Sequence, residues 1–310
     1  PFLPNIKCVD AYDDFHLLSR VTRFIQTERQ ITEQEAGAEV TISIEQSGIQ
    51  GTRAKKYFAM YRLIDIPGRI TESNQTPKAV RAMKQASLAF AVQVDDAPRP
   101  NQDAMFHVYF PTQEPTGTGF SIHGDFFVKP DRTRLMPGQY NQWLWETAGT
   151  LCANDFLDSL LDRYRPLSVY ETMAPNGNRN TEAARYFLAS FSKALKTRSK
   201  PFLVSNAGMV KQSEAVLPPH IDQAGFWDRH FHKAVSTHLR GKTFVRSQED
   251  TSLSRCFFDL AGVFVLSEPA FLDLMEIAGN SELNPKWWYD CYQYLYKSSH
   301  FVHQDHAFFQ

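Results

Sequence analysis

Apolar and polar positions alternate through much of the first 130 residues, which is typical of strands in a sheet. Residues 40–44 alternate strictly, and a second strand-like stretch follows at 55–67. Ser47, Gly48 and Gly51 lie between these stretches and favour a turn, so the two strands are predicted to form an antiparallel hairpin. Three further strands are predicted at residues 87–96, 104–112 and 120–128.

The period changes to three or four residues from Gln139 to Arg165, which predicts a long helix that ends at Pro166. A second amphipathic helix is predicted at 180–197, with Thr181 as its cap. Helical spacing is also found near the start of the chain, where residues 13–30 are expected to form a helix after a short strand at 1–12. Strand, glycine turn and strand are predicted at 200–219, followed by helices or short strands at 225–240, 268–279 and 284–298.

The composition is that of an ordinary globular protein, with 43% hydrophobic and 22% charged residues among 310. A net charge of −1 gives no global field that would attract nucleic acid or a membrane surface. The 4 cysteines are far apart and form no C-x-x-C pair, which favours reduced thiols in a cytoplasmic protein over disulfides or zinc. The chain opens with Pro1 in an abrupt strand, so we expect a fragment of a longer protein.

The most suggestive chemistry is a group of basic residues after the strand at 120–128. Lys129, Arg132 and Arg134 follow it closely, and Pro130 stops the strand. Arginine offers a planar fork of donors that suits phosphate oxygens, and lysine supplies a point charge. Turns on protein surfaces are also commonly charged, so a phosphate contact and a solvated turn both remain open.

Other candidate motifs are incomplete. Gly241-Lys242-Thr243 matches the end of a phosphate loop, but Ser236 stands where the motif needs a glycine. His303 and His306 offer two metal ligands without a third, so no metal site is predicted. The aromatic residues at 284–296 suggest a second hypothesis, a non-enzymatic scaffold that binds protein or nucleic acid. The alternative is that Trp288, Cys291, Tyr292 and Leu295 form one buried helix face.

Residues 107–149 resemble a segment of the sacsin-type and NO VEIN-type ATP-binding proteins. The matching features are, in chain order, Phe110-Pro111-Thr112, His123-Gly124-Asp125-Phe126, Arg132 and Asn141. Two flanking stretches also look similar. Residues 1–10 resemble the strand that closes the family's nucleotide-binding domain, and Gly208 with Ser213 to Pro218 resembles its G-x-(x)-S-E-A-V-L-P stretch.

The resemblance implies a place in the superfamily of gyrase, heat-shock chaperone, histidine-kinase and mismatch-repair ATPases (GHKL). There a middle, transducer-like domain follows the nucleotide domain, and one of its basic residues reaches the terminal phosphate. Arg132 is the residue implied here, with Lys129 and Arg134 as further phosphate-binding candidates. The Asp-x-Gly-x-Gly turn and glycine-rich lid of the nucleotide pocket do not occur in this chain. ATP with Mg is therefore expected in the full-length protein and not in this chain alone.

These observations predict an α/β fold with a mixed, mainly antiparallel sheet and crossover helices, like a chaperone or gyrase middle domain, followed by a mostly helical portion. Residues 1–38 are expected to hold the end of a nucleotide-binding domain and a connecting helix, 39–170 the transducer-like domain, and 171–310 the helical region. The expected function is to couple ATP hydrolysis in a preceding domain to conformational change. The expected partners are that ATPase domain, a second copy of the chain and an unidentified client protein, with nucleic acid less supported and no membrane.

Overall fold

A computed structural model describes residues 7–13, 16–30, 37–48, 51–221, 225–239, 241–279 and 285–297. The chain divides into two compact units, Pro1–Thr197 and Arg198–Gln310. The sequence placed a boundary after residue 170. The division falls later because the last helix of the first unit packs closely against an earlier helix of the same unit.

A large sheet dominates the first unit. Its strands follow the order β1-β2-β3-β4-β5-β9-β7-β8, with β6 paired to β5, and every pairing is antiparallel except β7 with β9. The predicted hairpin at 40–67 is confirmed as β3 and β4. The strands are β1 (Cys8–Asp13), β2 (His16–Gln30), β3 (Gly37–Gly48), β4 (Gly51–Asp65), β5 (Gln85–Val94), β6 (Pro98–Arg99), β7 (Met105–Val108), β8 (Phe110–Pro115) and β9 (Ser121–Gly124).

The connecting helix predicted at 13–30 is wrong, because residues 16–30 form strand β2. The apolar spacing in this stretch imitates a helix, yet the stretch contains β-branched residues such as Val21, Thr22 and Ile25. Pairing with β3 runs from Ser19 to Gln30, with one irregularity near Ile25. Long-range pairing on both edges of β2 therefore overrides the local period.

The helices of the first unit are α1 (Gly68–Thr71), α2 (Lys78–Arg81), α3 (Gln139–Leu151), α4 (Leu157–Leu161), α5 (Pro166–Met173) and α6 (Glu182–Thr197). The helix predicted at 139–165 is confirmed in α3 and α4, with a π-helical turn at Cys152–Phe156 between them. Pro166 does more than end a helix, since it is the first residue of α5. The Thr181 hydroxyl accepts a hydrogen bond from the Ala184 N–H at 3.2 Å, which confirms Thr181 as the cap of α6.

Phenylalanines join the sheet to the helices. The ring of Phe156, at the end of the π-helical turn, lies 5.1 Å from that of Phe90 and 5.2 Å from that of Phe120. Phe58 of β4 stacks on Phe156 at 6.1 Å. All four side chains are fully buried, and burying each one stabilises the unit by about 2–3 kcal/mol. This aromatic seam fixes the helical layer on one face of the sheet.

The second unit combines short strands with helices. β12, β13 and β14 form a parallel sheet in the order β13-β12-β14, and β10 with β11 forms an antiparallel hairpin. The strand, glycine turn and strand predicted at 200–219 are confirmed in the β10–β11 hairpin, and the stretches 225–240, 268–279 and 284–298, predicted as helices or short strands, contain helices. The sequence predicted neither the parallel sheet nor α9. Strands of two or three residues are too short to show a period. The elements are β10 (Leu203–Ser205), β11 (Gly208–Val210), β12 (Ala215–Leu217), α7 (Phe226–His230), α8 (His232–His238), β13 (Thr243–Phe244), α9 (Ser252–Ala261), β14 (Phe264–Val265), α10 (Glu268–Gly279) and α11 (Pro285–Lys297).

The contact between α3 and α6 requires a glycine at position 149. A Cβ on Gly149 would lie 2.5 Å from the Phe187 carbonyl oxygen and 2.7 Å from the Phe191 nitrogen. We expect Gly149→Ala to lower the free energy of unfolding by about 1–3 kcal/mol, as overpacked cores do, because backbone atoms must move. Urea denaturation measures the loss. Gly177→Ala is the control, since a Cβ there meets nothing within 4 Å, and equal losses in the two variants would contradict the packing argument.

Candidate anion-binding hairpin

The three basic residues identified in the sequence lie on a tight turn, which we call the basic hairpin (residues 129–134). The Lys129 N–H donates to the Arg134 carbonyl at 2.9 Å, and the Arg132 N–H donates to the Lys129 carbonyl at 2.8 Å. Pro130 occupies the second position of the turn, which its fixed φ favours. Val128 pairs with Leu135 at the base. The backbone therefore closes the turn within six residues.

The strand predicted at 120–128 is shorter than expected. β9 ends at Gly124, because Asp125 makes a different set of hydrogen bonds. The Asp125 carboxylate accepts from the Ser87 N–H at 2.7 Å, and the Asp125 N–H donates to the Ser87 carbonyl. Tyr140 of α3 donates its hydroxyl to the Asp125 carbonyl at 2.9 Å. The chain leaves the sheet here and forms the basic hairpin as a separate projection.

Arg132 has a backbone conformation that arginine rarely adopts. Its φ is +57°, in the left-handed region, which costs an L-residue about 1–2 kcal/mol. The preceding Asp131 carboxylate supports this turn by accepting from the N–H and the hydroxyl of Thr133, at 3.0 and 2.9 Å. The Arg132 side chain is exposed, and among the described residues nothing forms a hydrogen bond or ion pair with its guanidinium.

Lys129 and Arg134 have acidic neighbours. Both interact with the Asp131 and Glu114 carboxylates. Burial raises the pKa of the Glu114 carboxyl, and Arg134 and Lys129 act against that rise. Among the described residues, acidic neighbours thus compensate the charges of Lys129 and Arg134 but not that of Arg132. The Arg132 guanidinium is therefore available to an anion.

Glu114 also joins the basic hairpin to a helix. The Thr181 side chain interacts with the Glu114 carboxyl and acts to lower its pKa, and the Thr181 hydroxyl accepts from the Ala184 N–H in the first turn of α6. The sequence predicted Thr181 as a helix cap but did not predict its interaction with Glu114. Glu114 in β8 and Thr181 are 67 positions apart, and no sequence pattern links them.

Asn141 holds the base of the basic hairpin. Its buried amide oxygen accepts from the Phe127 N–H at 2.8 Å. Its amide nitrogen donates to the carbonyls of Phe127 and Met136, each at 2.7 Å. Phe127 and Met136 flank the hairpin on opposite sides. One side chain from the first turn of α3 therefore clamps both ends of the loop.

The other residues that carry the resemblance differ in their surroundings. Thr112 is buried and donates to the Phe106 carbonyl at 2.8 Å. Gly124 is tightly enclosed, since a Cβ there would lie 2.8 Å from Leu88 and from Phe126. Phe110, by contrast, is 56% exposed. The side chains of Thr112, Asp125 and Asn141 thus form hydrogen bonds inside the unit, whereas the side chain of Arg132 forms none with a described residue.

His107 and His123 lie side by side on the parallel strands β7 and β9. Tyr109 packs edge-on against His123, with ring centroids 5.5 Å apart. Burial is the largest cause that lowers the pKa of both imidazoles, each to about 4. Both side chains are therefore neutral at pH 7, and this pair was not identified from the sequence.

No group of three or more His, Cys, Asp or Glu side chains in the described part of the chain is arranged to hold a metal ion. His303 and His306 lie outside the described residues. Of the helices that the structure describes, none has the length and apolar character needed to cross a membrane.

The aromatic helix α11 buries a different face from the one predicted. Trp287 and Cys291 are buried, and Tyr294 stacks on Phe226 at 4.6 Å, whereas Tyr292 is 51% exposed. The predicted face of Trp288, Cys291, Tyr292 and Leu295 is thus wrong at Tyr292. The reason is that the core of the second unit lies on the side of the helix that Trp287, Cys291 and Tyr294 share.

Comparison with family models, with curated proteins and with solved structures found no match to this chain.

The clamp at Asn141 can be tested by Asn141→Leu, which keeps the approximate volume and removes the amide. We expect the unfolding free energy to fall by about 2–4 kcal/mol, because each backbone group left unpaired costs about 1–3 kcal/mol. Amide hydrogen exchange at residues 127–136 should accelerate more than elsewhere. Gln142→Leu is the control, since within the described part of the chain the Gln142 side chain bonds only to Glu146, one turn along the helix. Unchanged exchange in Asn141→Leu would contradict the clamp.

The histidine pair predicts a pH dependence of stability. The unfolded state takes up protons as the pH falls below about 6.5, while the folded imidazoles resist protonation until about 4. The unfolding free energy should therefore decrease from pH 6.5 toward 4, by about 1.4 kcal/mol for each unit of pKa shift. The double variant His107→Gln/His123→Gln should flatten this decrease in urea titrations at pH 7 and 4.5. His238→Gln, an exposed histidine, should leave the decrease unchanged.

Proposed function

We propose that the first unit is the transducer-like region of a sacsin-type or chaperone-type ATPase. Its basic hairpin contacts the terminal phosphate of a nucleotide bound by a nucleotide-binding domain of the same protein. The observation that carries the proposal is the Arg132 guanidinium, which is exposed, lies on a clamped turn and has no partner among the described residues. The mixed, mainly antiparallel sheet with helices is compatible with this assignment.

The residues present suit one part of a nucleotide site only. A guanidinium fork can donate two parallel hydrogen bonds to phosphate oxygens. The described residues include no group of three carboxylate, thiolate or imidazole side chains that would bind a metal, and the chain lacks the pocket motifs of the superfamily. Bound ATP with Mg, held by the nucleotide-binding domain, would supply the phosphate on which Arg132 acts.

Arg132 would act through electrostatic preorganisation. A donor held in place before the reaction loses little energy to reorganisation when charge develops on the phosphate. The closed backbone turn and the Asn141 clamp restrict the position of the Arg132 Cα, which places the side chain better than a free loop would. A donor of this kind typically contributes about 3–4 kcal/mol to a transition state.

The contacts of Glu114 suggest how the phosphate state would reach the rest of the protein. An anion at the basic hairpin would compete with Glu114 for Arg134 and Lys129. Glu114 interacts with Thr181, which caps α6, and α6 is the last element before the chain enters the second unit. In this proposal the first turn of α6 responds to the presence or loss of the phosphate. A client protein or a second copy of the chain would then sense that response.

Arg132→Gly tests the role of the guanidinium. Glycine adopts a positive φ at no steric cost, so this variant should be as stable as the parent or slightly more stable. In the protein with its nucleotide-binding domain, we expect ATP turnover to fall about 100-fold, with nucleotide affinity nearly unchanged. Thermal unfolding, nucleotide binding and steady-state hydrolysis together measure the three quantities.

Arg69→Ala is the matched control, because it removes an exposed arginine of α1 that has no hydrogen bond or ion pair among the described residues. It should leave turnover unchanged. Normal turnover in Arg132→Gly would rule out the phosphate contact. A loss of turnover accompanied by a loss of stability would instead assign Arg132 a structural role.

A further inference from the structure

The outer part of the large sheet carries several cations on one of its two faces. In paired antiparallel strands, residues opposite each other point to the same side. Arg23 pairs with Ile44, and Ile44 pairs with Lys55. The Arg23 N–H donates to the Lys7 carbonyl at 2.9 Å, so Lys7 lies opposite Arg23 and extends this row across four strands.

The next row on the same side adds another cation. Val9 pairs with Val21, Val21 with Gln46, and Gln46 with Arg53. We call the surface formed by Lys7, Arg23, Arg53 and Lys55 the basic face. With strands about 4.8 Å apart and alternate residues about 6.8 Å apart, its cations are spread over about 14 by 7 Å.

The opposite side of the same strands has mixed charges, since Arg20 and Lys56 lie there together with Asp10 and Glu45. Asp10 forms an ion pair there with Arg20 at 2.8 Å, and Glu45 lies between Thr22 and Ala54. The two rows of the basic face contain no acidic residue. A chain with a net charge of −1 therefore concentrates positive charge on one side of this part of the sheet.

The basic face is open to solvent. Lys7, Arg53 and Lys55 are exposed, and none of the three forms an ion pair with a described residue. Arg23 is half-buried, and its side chain interacts with that of Tyr61. The side chains between the cations are short or uncharged, such as Val9, Val21 and Gln46.

We propose that the basic face binds the phosphate backbone of a nucleic acid duplex. Cations spread over a shallow surface match the regular charge of a duplex, which carries one phosphate charge per about 1.7 Å of axis. Base stacking on single strands needs aromatic side chains, and the two rows contain none. A lipid surface favours large apolar side chains among the cations. Of the exposed apolar residues of these strands, Val9 and Ile25 lie on the same side as the basic face, whereas the aromatic Phe24 lies on the opposite side, where it pairs with Ser43.

The test measures binding of the purified protein to a fluorescent 30-base-pair duplex by anisotropy, as salt is raised from about 50 to 200 mM. We expect sequence-independent binding whose logarithm falls linearly with the logarithm of salt concentration, with a slope of about −3, since about 0.9 counterions are released for each phosphate contacted. Lys55→Glu should weaken binding about tenfold and reduce the slope by about one.

Lys56→Glu is the matched control. Lys56 is the next residue, is also exposed, and points to the opposite face, where it pairs with Ser43. It causes the same change in net charge, yet it should affect binding much less than Lys55→Glu. Equal losses in the two variants would overturn the assignment to the basic face. Absence of duplex binding at low salt would overturn the proposal, as would binding to phosphatidylserine vesicles without binding to the duplex. None of these outcomes depends on the role proposed for Arg132.

Discussion

The aromatic seam at Phe156 is the contact on which the arrangement of the first unit depends. It stacks the helical layer on Phe58, Phe90 and Phe120 of the sheet. α3 continues directly into the π-helical turn that carries Phe156. Since the seam holds this turn in place, it also sets the position at which α3 begins. The first turn of α3 carries Asn141, whose amide clamps the basic hairpin. The buried phenylalanines thus determine the position of the exposed Arg132 indirectly, first through α3 and then through the Asn141 clamp.

The sequence predicted those parts of the fold that have a long and local pattern. The β3–β4 hairpin shows an alternating stretch and a turn signal, and the helices α3 and α6 each show a clear period over ten or more residues. The π-helical turn is invisible in the sequence, because one widened turn does not disturb the apolar period. β2 was missed since its pairing partners, and not its own spacing, decide its conformation. The strands of the parallel sheet in the second unit have only two or three residues each, too few to show a period.

The candidate sites were predictable to different degrees. The basic hairpin was found because its three cations are close in sequence, and a family resemblance selected Arg132 among them. Its left-handed φ could not be predicted, as arginine has no preference for that conformation. The basic face could not be found at all without strand register. Lys7, Arg23, Arg53 and Lys55 come from three strands or their ends, and a one-residue slip would send each to the other side.

The two cationic surfaces use charge in physically different ways. The basic face is distributed and solvent-exposed, so salt with a Debye length of about 8 Å at physiological ionic strength screens it strongly. Arg132 offers a single group whose backbone is fixed, and such a donor gains most where water is excluded. Glycine at position 132 would relieve about 1–2 kcal/mol of backbone strain. The Arg132 guanidinium forms no hydrogen bond or ion pair with any described residue, so no contact of that side chain within the described structure offsets the strain. An interaction outside these residues is therefore the physical reason that best accounts for an arginine at this turn.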